Sequence, residues 1–220
     1  GDLRAVIMPH AGFIYSGLTA AHAAREIPRE RFRHVVLLGP DHRVGFRGIA
    51  APSADWFETP LGRIPVDQEA IDNLPGVERF DRAHESEHSL EVHLPFLQKS
   101  LDDFSLVPLV VGQADPADVA AVLETLWGGD ETLIVISSDL SHYHDYLTAS
   151  RIDNETTRAI ESFNDAAIGP QEACGYVGVR GLLQVASKKG LHEITLDVRN
   201  SGDTAGPRDQ VVGYGAYLFY

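Results

Sequence analysis

The stretch Thr132-Leu133-Ile134-Val135-Ile136-Ser137-Ser138-Asp139-Leu140-Ser141-His142 decides the fold. Leu133 to Ile136 form a short, uniformly apolar run, which reads as a strand buried on both faces. That run leads directly into hydroxyl, carboxylate and imidazole side chains. The arrangement occurs twice more. Ala5-Val6-Ile7-Met8 leads into Pro9-His10-Ala11-Gly12, and Val35-Val36-Leu37-Leu38 leads into Gly39-Pro40-Asp41-His42. In an open α/β sheet, ligands gather beyond the carboxyl ends of the strands. Three such ends bring His10, His42, Asp139 and His142 toward one metal or catalytic centre. The single cysteine, Cys174, opens the segment Cys-Gly-Tyr-Val-Gly and is a further candidate for it.

Outward from these runs, strands are expected at 4–8, 34–38, 106–111, 132–137, 193–198 and 211–219. All but the last read as fully buried, and the last alternates enough to pair antiparallel. Helices are expected at 18–26, 67–73, 89–99, 116–127, 152–163 and 175–189. Pro95 is expected to kink or reset the third of these. Pro116 near the start of the fourth, and Gly190 after the last, are standard helix punctuation. The alternation of strand and helix predicts an α/β fold: a three-layer α/β/α sandwich with a mostly parallel or mixed sheet. No repeat, low-complexity tract or linker divides the chain, so residues 1–220 read as one domain.

Composition narrows the function. The formal net charge of −14 argues against nucleic acid and against anionic membrane surfaces. One cysteine cannot close an internal disulfide. No run approaches the roughly 18 apolar residues of a membrane span. Pro9, His10 and Gly12 interrupt the N-terminal apolar stretch too early for a signal peptide. The expectation is a soluble cytoplasmic protein.

Each candidate has a plainer reading. His10 and His42 alone suit turn histidines with local hydrogen bonds. Asp139 suits a helix N-cap, and Cys174 a small buried hydrophobe. If 139–142 is helical, the three-residue spacing aligns Asp139 with His142. Recurrence at several strand ends favours the site. A rival motif, His84-Glu85-Ser86-Glu87-His88, matches H-E-x-x-H, in which two histidines share a helix face around zinc and the glutamate acts as base. Its surroundings are too polar for a buried zinc helix, and His93 lies about 140° around a helix from His88. This segment reads better as a solvated loop with Glu87 and His88 lining the site. The loop Ser201-Gly202-Asp203-Thr204-Ala205-Gly206 is either a surface turn or a flap over the cleft.

Taken together, these segments resemble the Memo family, known in bacteria and archaea as AmmeMemoRadiSam system protein B. The matching stretches are 9–17 (Pro-His-Ala-Gly-Phe-Ile-Tyr-Ser-Gly), 38–42, 87–96 (Glu-His-Ser-Leu-Glu-Val-His-Leu-Pro-Phe), 137–143, 174–175, 200–203 and 212–214. The resemblance implies a fold similar to class III extradiol dioxygenases, which bind non-haem iron(II). It implies metal ligation by His10, His42 and Cys174, with Asp139 and His142 beside them and His142 where the dioxygenases keep a catalytic base. The family's usual Gly-Pro-Ser-His-His reads Gly39-Pro40-Asp41-His42-Arg43 here. Where the dioxygenases use a carboxylate as third ligand, a thiolate suits iron, copper or zinc. The function expected is metal-dependent oxidoreductase chemistry of a dioxygenase-like kind, on iron(II) or copper, with zinc as a further candidate. Tyr15 and Tyr143 are expected to line the cleft. The expected ligand is a small molecule or peptide, and the alternative is a protein that binds a metal, peptide or partner without turnover. Its expected partners are an AMMECR-type protein and a radical S-adenosylmethionine protein.

Overall fold

The computed structural model describes residues 2–220. In chain order its strands are β1 (Ala5–Met8), β2 (His34–Pro40), β3 (Ile49–Ala51), β4 (Trp56–Thr59), β5 (Gly62–Pro65), β6 (Val77–Arg79), β7 (Ser105–Val111), β8 (Thr132–Ser137), β9 (His142–His144), β10 (Glu193–Asn200) and β11 (Val211–Phe219). The helices are α1 (Phe13–Ala24), α2 (Gln68–Asp72), α3 (Arg82–Glu85), α4 (Leu94–Ser100), α5 (Pro116–Leu126), α6 (Tyr146–Glu161) and α7 (Tyr176–Lys189).

The main sheet runs β10-β11-β1-β8-β2-β7-β3-β6, with β9 paired to β11, while β4 and β5 form a separate hairpin. Its centre is parallel: β1 with β8, β8 with β2, and β2 with β7. β11 is antiparallel to β1 and to β10, as its alternating sequence predicts. Successive side chains of a strand point to opposite faces, so each central strand feeds two cores. Ile7, Val36, Leu38, Ile134 and Ile136 meet Val119 and Val122 of α5 and Leu182 and Leu183 of α7 on one face. Val6, Met8, Val35, Leu37 and Val135 meet Ala23 of α1 and Leu94 and Leu97 of α4 on the other. The result is the expected three-layer sandwich with a mixed sheet. Each fully buried aliphatic side chain contributes about 1.5–3 kcal/mol relative to exposure.

Several boundaries differ from expectation for local reasons. β10 is half-buried rather than buried, because it closes one edge of the sheet. α6 begins six residues earlier than expected, where Asp145 caps it by accepting from the N–H groups of Leu147 and Thr148. Of the two outcomes expected at Pro95, the reset is the one found: the proline falls in the first turn of α4, after a short 3₁₀ turn at Glu91–His93. The segment 139–142 is not helical. The Leu140 N–H donates to the Gly213 carbonyl, the Gly213 N–H donates to the Ser141 carbonyl, and His142 opens β9. Pairing with β11 therefore replaces the helical alignment of Asp139 and His142.

Candidate metal centre

β1, β8 and β2 are adjacent and parallel, with Met8 opposite Ser137 and Ile136 opposite Leu38. Their carboxyl ends emerge on the same side of the sheet, which brings together the segments carrying His10, Asp139 and His42. They open onto a cleft of about 700 Å³ whose wall includes His10, His42, His88, Asp139, His142 and Cys174. Each of the five site residues expected from sequence lies on this wall.

The densest grouping is one of three imidazoles. One ring nitrogen each from His10, His42 and His88 lie within 4.8 Å of one another. The His42 and His88 rings stack at 5.2 Å, and both meet the His10 ring edge-on, at 5.1 and 5.5 Å. Hydrogen bonding fixes which nitrogens are free. The Ser137 hydroxyl has one proton and donates it to the Ser89 carbonyl at 2.5 Å. His10 Nδ1 and His93 Nε2, each 2.7 Å from the same oxygen, must therefore be the donors. His10 is thus the Nδ1–H tautomer, and its Nε2 carries a lone pair. Glu87 holds His42 in the same way. Its Oε1 is 2.9 Å from His42 Nδ1, and its Oε2 accepts the His42 backbone N–H at 2.6 Å. Imidazoles anchored through Nδ1 by an oxygen partner are the usual outer support of a metal ligand.

Electrostatics suits this arrangement. Burial, reinforced by the neighbouring His42 and His88, pushes His10 down to about 3, so it is neutral at physiological pH. Burial alone would raise Glu87, but hydrogen bonds from the His42 side chain and backbone and from the Ser89 N–H bring it down to about 2. Its side chain is almost wholly enclosed. His93, buried behind the site, is also pushed down to about 3 by its burial.

Cys174 stands on the other side of His10, with Sγ 3.4 Å from His10 Nε2. Burial and then the Asp139 carboxylate raise its thiol to about 12, so it is protonated in the metal-free protein. Its position is set by Gly175, where a Cβ would lie 2.5 Å from the Ser137 carbonyl oxygen. Asp139 is buried, which raises its carboxyl; it accepts the His10 backbone N–H at 2.8 Å, and its other oxygen is 3.8 Å from His10 Nε2. His142 lines the cleft beside them, its ring edge-on to Tyr143. Tyr143 adopts a left-handed backbone (φ 63°), uncommon for a residue with a Cβ, and holds its ring out at the mouth.

One expectation is corrected, that for Tyr15, and two readings left beside an alternative are decided. The H-E-x-x-H segment does not form a two-histidine helix face. α3 ends at Glu85, and His84 turns away to bond the Ala50 carbonyl at 3.1 Å. Only Glu87 and His88 from that segment serve the imidazole cluster. Tyr15 is not part of the cleft wall, although Tyr143 is. The loop 201–206 is no flap over the cleft. Its 3₁₀ turn is closed by a capping box with Asn200, and Asp203 is tied to the Tyr146 hydroxyl at 2.6 Å. Sequence reasoning missed Ser137 as the shared acceptor, because a strand-end serine carries no signal of which histidines will reach it.

A family model described as "Memo-like protein" matches residues 2–218. A MEMO1 family protein of Methanosarcina mazei is 34% identical, over 99% of this chain and 86% of its own length. One from Saccharolobus solfataricus is 35% identical over 97% of this chain and 81% of its own. A third, from Thermotoga neapolitana, is 37% identical over 95% and 80%.

Proposed function

The chain belongs to the Memo family, and on that premise we propose that it is a metal-dependent redox protein of the non-haem type. The ion is held by the imidazoles of His10, His42 and His88, with Cys174 as a softer donor beside His10. The observation that carries this reading is the meeting of three imidazole nitrogens within 4.8 Å, two of the rings fixed through Nδ1 by Ser137 and Glu87. Three imidazoles with one nearby thiol suit iron(II) or copper, with zinc as a third candidate. Coordination would draw the proton from the Cys174 thiol. The bound ion would supply redox and Lewis-acid chemistry.

The chain's own residues do the rest. Asp139 fixes the backbone of His10 and presents its second oxygen toward the ligating nitrogen. His142, on the cleft wall and off the cluster, takes a proton from a bound substrate and returns it as general acid–base. Oxygen uptake by iron(II)-loaded protein is the test. We expect uptake, or oxidation of a small redox substrate, to fall about 10²–10⁴-fold in His142→Ala with metal content unchanged. No turnover under any metal would contradict the catalytic reading.

One observation favours a second reading. Phe13, Ile14, Leu18 and Leu147 are largely exposed apolar side chains, and Tyr143 is exposed at the cleft mouth. Exposed apolar groups of this kind suit a partner or peptide surface. On that reading the ion is sequestered or delivered within an assembly that includes AMMECR-type and radical S-adenosylmethionine proteins. Tight metal binding without turnover, with such a protein co-purifying, would favour it.

A further inference from the structure

The cleft combines an acidic protein with a basic mouth. Of its wall residues, Asp139 is the sole carboxylate among the described residues, and it is buried at the back against the His10 N–H. Among the described residues, Arg43 is the sole lysine or arginine on that wall. Among the described residues its guanidinium makes no ion pair and no hydrogen bond, whereas Arg199, Arg79 and Arg29 each engage a carboxylate. The loop that carries Arg43 is locked. Asp41 turns its carboxylate inward to accept the N–H groups of Arg43 at 3.0 Å, Val44 at 2.9 Å and Gly45 at 2.6 Å. Asp41 therefore fixes the loop and leaves Arg43 without the acidic partner that sequence adjacency suggests. Gln171 and Tyr143 add polar groups to the same wall.

We infer that Arg43 is a specificity-determining residue and that the cleft takes a small carboxylate, its charged end on the Arg43 guanidinium and its other end at the three imidazoles. This rests on the metal reading above. A planar guanidinium pairs with a carboxylate through two parallel N–H donors. A phosphate dianion calls for a second cation beside the guanidinium, and among the described residues no lysine or second arginine on the wall supplies one. With a net charge of −14, the protein's overall field repels free anions, so a local cation at the mouth is what admits one. A cleft of about 700 Å³ matches the size range of small-ligand sites.

The test uses zinc(II)-loaded protein and two matched sets of hydroxamic acids. Each has a metal-binding head and a chain of two to four methylenes, ending in a carboxylate in one set and a carboxamide in the other. Affinities are read by calorimetry. We expect one chain length to bind about tenfold tighter as the carboxylate than as the carboxamide. That preference should vanish in Arg43→Gln, with an unchanged thermal melt and zinc content as the controls on folding. Equal binding of the two sets by the unaltered protein would overturn the inference, as would a preference that survives Arg43→Gln. Failure of both sets to bind protein shown by elemental analysis to hold zinc would overturn it too. Failure to take up zinc at all would remove the metal reading, and this inference with it.

Discussion

Because the Ser137 hydroxyl donates to Ser89, it has only lone pairs to offer His10 and His93. That single assignment leaves His10 Nε2 as a metal-ready acceptor. Ser137→Ala strands two buried N–H donors, and we expect a stability loss of about 1–3 kcal/mol in denaturant titrations. Metal affinity should fall about 10–100-fold in chelator competition, as for other lost ligand supports. Acid sensitivity follows from the same residues. His10 and His93 stand near 3 when folded and near 6.5 when unfolded. Between those values the unfolded chain binds more protons, so their contribution is whole above 6.5 and is lost as pH falls toward 3. Each adds a slope of about 1.4 kcal/mol per pH unit in that window. His93→Gln should flatten the stability of metal-free protein between pH 6 and 4 by one such slope, measured by urea titration; an unchanged slope would contradict its burial as a neutral ring. His10 and His42 were legible in the sequence because each follows an apolar strand. His88 was read as lining the site with Glu87 but not as a third imidazole beside His10 and His42, because the H-E-x-x-H pattern pairs it with His84; its associate is the adjacent Glu87, whose Oε1 lies 3.5 Å from His88 Nδ1.

At the scale of elements, the longer buried strands were read almost to the residue, since continuous apolar runs have one stable environment in an α/β sheet, whereas the three-residue buried β3 was not read. β8 and β11 match the expected 132–137 and 211–219. β9 was not legible. His142-Tyr143-His144 has no strand pattern of its own and is set by its neighbour, with Val212 opposite His142 and Val211 opposite His144. Short strands of this kind depend on the partner rather than on intrinsic preference. The start of α7 was legible from Gly175, and the close approach explains the residue. A Cβ there would also lie 2.8 Å from Ser138 Cβ. Gly175→Ala should therefore destabilise the protein by about 1–3 kcal/mol through overpacking, read as a lowered Tm. It should also move Cys174 away from His10, read as a weaker thiolate-to-metal absorption band in protein loaded with copper or cobalt. An unchanged band would show that the turn does not position the cysteine.

For the molecule as a whole, the three-layer sandwich follows from alternating strand and helix, and the position of the cleft follows from parallel strands ending on one side. No helix among the described residues is long and apolar enough to cross a membrane. What the sequence withheld is which side chains meet. Spacing along a chain gives strand ends, whereas the choice among His84, His88 and Cys174 depends on where α3 stops and where the segment before α7 returns to the sheet. The central claim, that His10, His42 and His88 hold one metal ion, is tested most directly by elemental analysis. The protein is purified without oxygen, and wild type is compared with His88→Ala and His84→Ala. The account predicts close to one ion of iron or copper per chain in wild type and in His84→Ala, and a large loss in His88→Ala. Metal lost only in His84→Ala, or no metal in wild type even after reconstitution, would contradict it.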